Sequence, residues 1–166
     1  MAERVVALEA VSLPLPSSPS DEVVLPGDMN SFLIYSTFQA SVGQLGKSAL
    51  IECVRPSFCT FGYPNDEGIV EHRLYDKGLS DLLGFGEVKD SELVREYETM
   101  SRRSAHRIWS GRGISLPENS KPAKRHFIIS LKENVFEAVC NELRLVGIFP
   151  DHLKALEVAR AEINLG

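Results

Sequence analysis

The chain lacks most of the signatures that would assign it a chemistry. It has no GxSxG elbow, no GxGxxG turn, and no CxxC, HxxxH or HxH pair. The glycine-rich run 78–86, GLSDLLGFG, lacks the Gly-Lys-Ser/Thr ending of a phosphate loop. No apolar run reaches the roughly 18 residues that a membrane-spanning helix needs. The N-terminus sets Glu3 beside Arg4 without an apolar leader core, so the pattern predicts a soluble, cytoplasmic protein with no membrane partner.

Cysteine is scarce as well. Cys53, Cys59 and Cys140 are odd in number and without metal-ligand spacing, which argues against a disulfide framework. If residues 50–61 ran as one extended strand, Cys53 and Cys59 would lie about 20 Å apart at ~3.3 Å per residue, too far to bridge. Buried reduced thiols are the expectation. No cofactor and no metal site is predicted.

What is present is an ordinary globular composition, 43% hydrophobic, in 166 residues, which suits one domain spanning 1–166. Residues 1–89 read as mainly β, and 90–166 as mixed α and β with a long basic loop over 104–124. The predicted class is α+β. It has an N-terminal antiparallel sheet, curled or barrel-like, with two or three helices in the second half.

Strands are expected at 31–42 and 50–61 from their Val, Ile, Phe and Thr content, and 4–13 reads as a strand or a short helix, its valines favouring the strand. Pro56 makes the last of these an edge strand, a bulged strand or two short strands. In 31–42 one face is apolar and the other mixed, as in a strand with a half-exposed side. Further strands are expected at 85–89 and 126–131. Asp90 or Ser91 caps a helix to about residue 103. Residues 132–144 carry Val135, Phe136, Val139, Cys140 and Leu143 at helical spacing, and predict another helix. A last helix follows Asp151, with Leu153, Leu156, Ala159 and Ile163 inward.

The densest polar cluster is FGYPNDEGIVEHRLY, residues 61–75. If its turn folds back, Asp66 or Glu67 would orient His72 as a general base, because a carboxylate beside an imidazole fixes its tautomer. The plainer account is that Asn65 and Asp66 cap the turn, and that His72 pairs with a carboxylate for structural reasons.

Charge is uneven although the net is only −5. Residues 61–101 hold ten acids and four bases, whereas 102–125 hold seven bases and one acid. The basic stretch, with Trp109 inside it, would grip an anion, although exposed charges cost little to keep without a purpose.

The leading expectation is therefore a small binding or interaction module, for an anionic small ligand or a protein partner, with a homodimer admitted. Tyr63, Arg73, Arg107, Trp109, Arg125 and His126 are its ligand-binding candidates. The alternative is a small hydrolase using His72 with Asp66 or Glu67. A single-stranded nucleic-acid or phosphate binder through 102–125 comes third, since the acidic balance argues against nucleic acid.

Overall fold

The computed structural model describes residues 2–8, 13–17, 22–38, 46–110 and 124–164. Among these, strands run at β1 (Arg4–Ala7), β2 (Glu22–Pro26), β3 (Asn30–Ser36), β4 (Ser48–Val54) and β5 (Phe58–Gly62). They continue with β6 (Phe85–Lys89), β7 (Arg125–Ser130), β8 (Val135–Cys140) and β9 (Glu142–Phe149). The helices are α1 (Glu92–Ser110) and α2 (His152–Asn164). Among the described residues the class is α+β, with two antiparallel sheets and no closed barrel. One sheet has the order β1-β6-β7-β8-β5 and the other β2-β3-β4-β9. The sheets are thus only partly N-terminal: β2 to β4 come from residues 22–54, but β6 to β9, all from beyond residue 84, complete both of them.

A bent ribbon joins the two. β4 pairs with β9, and β5 pairs with β8, so one antiparallel ladder turns a corner and serves a different sheet on each side. Pro56 sits at that corner and divides the expected strand into two short ones. Arg55 adopts a left-handed φ of 50°, uncommon for a residue with a side chain. Its N–H is shared by the Met29 carbonyl and the Asn30 Oδ1, both at 3.1 Å. The Asn141 N–H closes the other half of the corner on the Val54 carbonyl at 3.0 Å.

The main core lies where the two sheets face each other, with Leu33, Tyr35, Ile51, Phe85, Phe127 and Phe136 among its members. Phe32, Ile34 and Leu50 point the other way and meet Ala155 and Ala159 of α2. On the far side of the five-stranded sheet, Val5, Val88, Ile128 and Val135 are covered by Leu74 and Leu79 of the 69–82 segment. Each large side chain so buried contributes roughly 1.5–3 kcal/mol.

This layering explains two departures from the sequence expectation. β3 has both faces covered, so its second face is not half-exposed. Residues 132–144 are not a helix. Every residue of β8 is buried, because one face meets the core and the other meets the covering segment. A strand buried on both sides shows no alternation, and its apolar residues mimic helical spacing.

α1 starts where expected but continues to Ser110, so 104–110 is helical rather than loop, while 111–123 lies outside the described residues. Tyr97 fixes α1 to the sheet through the Phe58 ring, with centroids 5.7 Å apart. α2 is capped by Asp151, whose Oδ1 accepts the Lys154 N–H at 2.8 Å. Leu153, expected inward, is 73% exposed. Among the described residues no helix is long and apolar enough to cross a membrane.

Candidate functional site

The polar centre of the molecule is Glu137, on β8. Phe136, Ala138 and Cys140 take the inward positions of that strand, so Glu137 projects to the opposite face, beside Val135. On the neighbouring strand Ile128 stands opposite Glu137, and His126 stands opposite Val139. His126 and Glu137 are therefore diagonal neighbours on one face of the sheet. The covering segment makes two short 3-10 turns, Ile69–Glu71 and Tyr75–Lys77. With Leu74 fully buried between them, the adjoining His72 and Arg73 are drawn down onto the carboxylate.

Glu137 accepts three hydrogen bonds. His72 Nε2 reaches Oε1 at 2.8 Å, His126 Nε2 reaches Oε2 at 2.7 Å, and an Arg73 guanidinium nitrogen reaches Oε2 at 2.9 Å. Burial alone would raise the pKa of this carboxyl. The bonds from His126 and His72, with the charge of Arg73, more than offset that and hold it well below the ordinary carboxylate value. Glu137 is thus an acceptor only, which fixes both imidazoles as Nε2–H donors toward it.

The other ring nitrogens follow. Nδ1 of His72 accepts the Leu74 N–H at 3.2 Å. Nδ1 of His126 and the Ser91 hydroxyl share a hydrogen bond at 2.8 Å, and the Ser91 Oγ accepts the Val94 N–H at 3.2 Å. Ser91 is therefore both the N-cap of α1 and the outer member of a hydroxyl–imidazole–carboxylate relay. His126 is fully buried and Ser91 is 5% exposed.

A second buried acid, Glu3, extends the network. Its Oε2 accepts Arg73 at 3.1 Å and Lys77 at 2.9 Å, and its Oε1 takes the Glu92 N–H at 3.1 Å. Burial works to raise its pKa, but Lys77, the Glu92 N–H and Arg73 together lower it. The carboxylate also occupies the positive end of α1.

The relay ends at a cleft of about 250 Å³ beyond the ends of β6 and β7. Ser91 and His126 line it, together with Lys89, Arg95, Lys124 and Arg125. Asp90, also on the lining, turns the chain from β6 into α1 with a left-handed φ of 55°. Glu87 binds both Arg125, at 3.1 and 2.5 Å, and Lys89, at 2.8 Å. Burial opposes ionisation of Glu87, but these two cations lower its pKa on balance. One carboxylate thus answers two cations there, and the lining as a whole carries four cations against two acids.

The candidates read from the sequence are dispersed across this arrangement. His72 and His126 share Glu137, and Arg73 joins them. Arg125 lines the cleft beside His126. Tyr63 is exposed and donates to Glu71 at 2.8 Å, and it lies outside the cleft lining. Among the described residues no hydrogen bond joins His72 to Asp66 or Glu67, both of which are exposed; the backbone N–H of Asp66 binds the Lys132 carbonyl at 2.8 Å. The turn itself is closed by Asn65, whose Oδ1 accepts the Gly68 N–H at 3.0 Å. Arg107 is exposed on α1, away from the cleft lining, and Trp109 is in the last turn of the same helix.

Sequence reasoning passed over Glu137, Glu3 and the hydroxyl role of Ser91. The available signal for Glu137 was a single carboxylate within the apolar run VFEAVC. Among the described residues no group of three or more His, Cys, Asp or Glu side chains is arranged to hold a metal ion. No protein-family model, no curated protein and no solved structure matches the chain.

Proposed function

We propose that the protein is a binding module for a small anionic ligand, taken into the cleft between the start of α1 and the ends of β6 and β7. The supporting observation is the charge of its lining: Lys89, Arg95, Lys124 and Arg125 against Glu87 and Asp90. At about 250 Å³ the cleft lies just below the ~300–1,000 Å³ usual for drug-sized ligands, which suits a phosphate or carboxylate group on a short body. The start of α1 is not the main attraction, because Glu3 and Ser91 already accept the Glu92 and Val94 N–H groups. The anion would be held by guanidinium and ammonium groups.

Titration of inorganic phosphate, and separately of succinate, into isotopically labelled protein tests this by amide shifts. Saturable shifts are expected at Lys89, Ser91, Arg95 and Arg125. The double variant Arg95→Ala, Lys124→Ala should weaken binding by roughly ten-fold or more. Absence of saturable shifts with either anion ends the proposal. A short single-stranded oligonucleotide is the contrasting ligand: Arg102, Arg103 and Arg107 lie exposed along α1, and tight, steeply salt-dependent binding there would favour nucleic acid instead.

A further inference from the structure

We infer that Ser91 is a nucleophile and that the cleft hydrolyses a small ester bearing an anionic group. The serine chemistry stands on the relay, and only the choice of an anionic substrate rests on the charge reading above. Three groups lie in series: Ser91 Oγ to His126 Nδ1 at 2.8 Å, and His126 Nε2 to Glu137 Oε2 at 2.7 Å. Ser91 and His126 both line the 250 Å³ cleft. These are the contacts a hydroxyl nucleophile needs: a base within hydrogen-bond reach, oriented by a third group.

Proton polarity agrees with that role. Glu137 holds Nε2–H, so whenever the ring is neutral Nδ1 is the acceptor and the Ser91 hydroxyl the donor. Serine proteases use the ring in the opposite sense, with Nε2 toward the hydroxyl, but a neutral imidazole can accept a proton at either nitrogen. The chain geometry is also suitable. Ser91 stands between a strand and a helix, directly after Asp90 in its left-handed conformation. Backbone strain of this kind collects at functional sites.

The reaction balances without a further reagent. The Ser91 proton passes to His126 Nδ1 as Oγ bonds to the ester carbon, and the departing alkoxide takes that proton back. Water then attacks the acyl-serine, gives a proton to Nδ1 and frees the acid, while the Ser91 Oγ recovers the proton. Glu137 stays ionised throughout and acts as a positioning residue. The cations of the lining, Lys124 and Arg95 among them, give the cleft the positive charge that a developing oxyanion needs.

The test is covalent labelling of the intact protein by a fluorophosphonate, read by mass spectrometry with peptide mapping. An adduct on Ser91 is expected. Ser91→Asn keeps a capping side chain without the hydroxyl, so it should fold normally and take no adduct. Glu137→Gln should slow labelling and shift the pH at which labelling rises, which a loss of packing alone would leave in place. If the wild-type protein is folded and Ser91 stays unmodified under excess reagent, or if only another residue is modified, the nucleophile is overturned whatever phosphate does. If Ser91 is labelled but millimolar phosphate does not slow the reaction, the anionic substrate class is overturned and the serine chemistry stands.

Discussion

His72 and His126 donate to the two oxygens of a single carboxylate, at 2.8 and 2.7 Å, one from the covering segment and one from β7. Glu137 thereby ties a loop to the sheet beneath it, and Arg73 carries the tie on to Glu3 in the N-terminal segment. Removing the carboxylate would leave two imidazole donors and a guanidinium facing one another.

That arrangement makes stability depend on pH in a defined direction. The folded pKa of Glu137 lies below its ordinary value of 4.5, so the unfolded chain takes up the proton first. The contribution is complete above about 4.5 and drains away as the pH falls below that toward the folded value. Urea midpoints should therefore drop on acidification through that range, and the drop should be smaller in Glu137→Gln. At neutral pH the same variant should lose about 3–5 kcal/mol, the usual cost of breaking a buried charged pair from one side.

The three thiols converge, although the sequence placed two of them far apart. Cys53 and Cys140 are buried in the same core cluster between the facing sheets, with Cys59 packed against it. The straight strand assumed between Cys53 and Cys59 does not exist, because the chain turns at Pro56. The neighbouring Cys140 thiol, then burial, raises the Cys53 pKa well above normal, and burial with Cys140 nearby lifts that of Cys59 to about 11. Native protein at pH 8 should react with a thiol reagent at least about a hundred-fold more slowly than free cysteine. All three groups should react at once in denaturant. Rapid modification of the folded chain would contradict the arrangement.

α2 approaches the four-stranded sheet through small residues. Ala155 and Ala159 are fully buried against Phe32, Ile34 and Leu50. Ala159→Leu should push the helix outward and cost about 1–3 kcal/mol in denaturant unfolding. Leu153→Ala, on the exposed side of the same helix, should change stability by no more than about 0.5 kcal/mol.

The parts of the fold that show clear local signals were legible in the sequence. Pro56 divided a strand, Ser91 and Asp151 capped helices, and runs of β-branched and aromatic residues marked β3 and β7. β8 and β9 were not legible, because burial on both faces of β8 erased the alternation that identifies a strand. The site suffered the same loss. His72 and His126 could be picked out as candidates, but their partner sat in a segment expected to be helical. Asp66 and Glu67 looked nearer to His72 along the chain, yet the Asn65 turn leaves them facing solvent. Proximity in sequence gave way to the register of β7 and β8, which only long-range pairing decides.

The bent ribbon carries a consequence for how the chain first comes together. Among the described strands, β2, β3 and β4 can pair in sequence order as they leave the ribosome, and later β6, β7 and β8 can do the same. β4 must then wait, with one edge unsatisfied, until β9 is synthesised, and β5 waits likewise for β8. Such late partners close large loops, which slows folding toward the millisecond-to-second range typical of non-local β topologies. During that delay the nascent meander exposes an apolar edge to its neighbours. Newborn chains are thus most exposed to aggregation before β8 and β9 emerge.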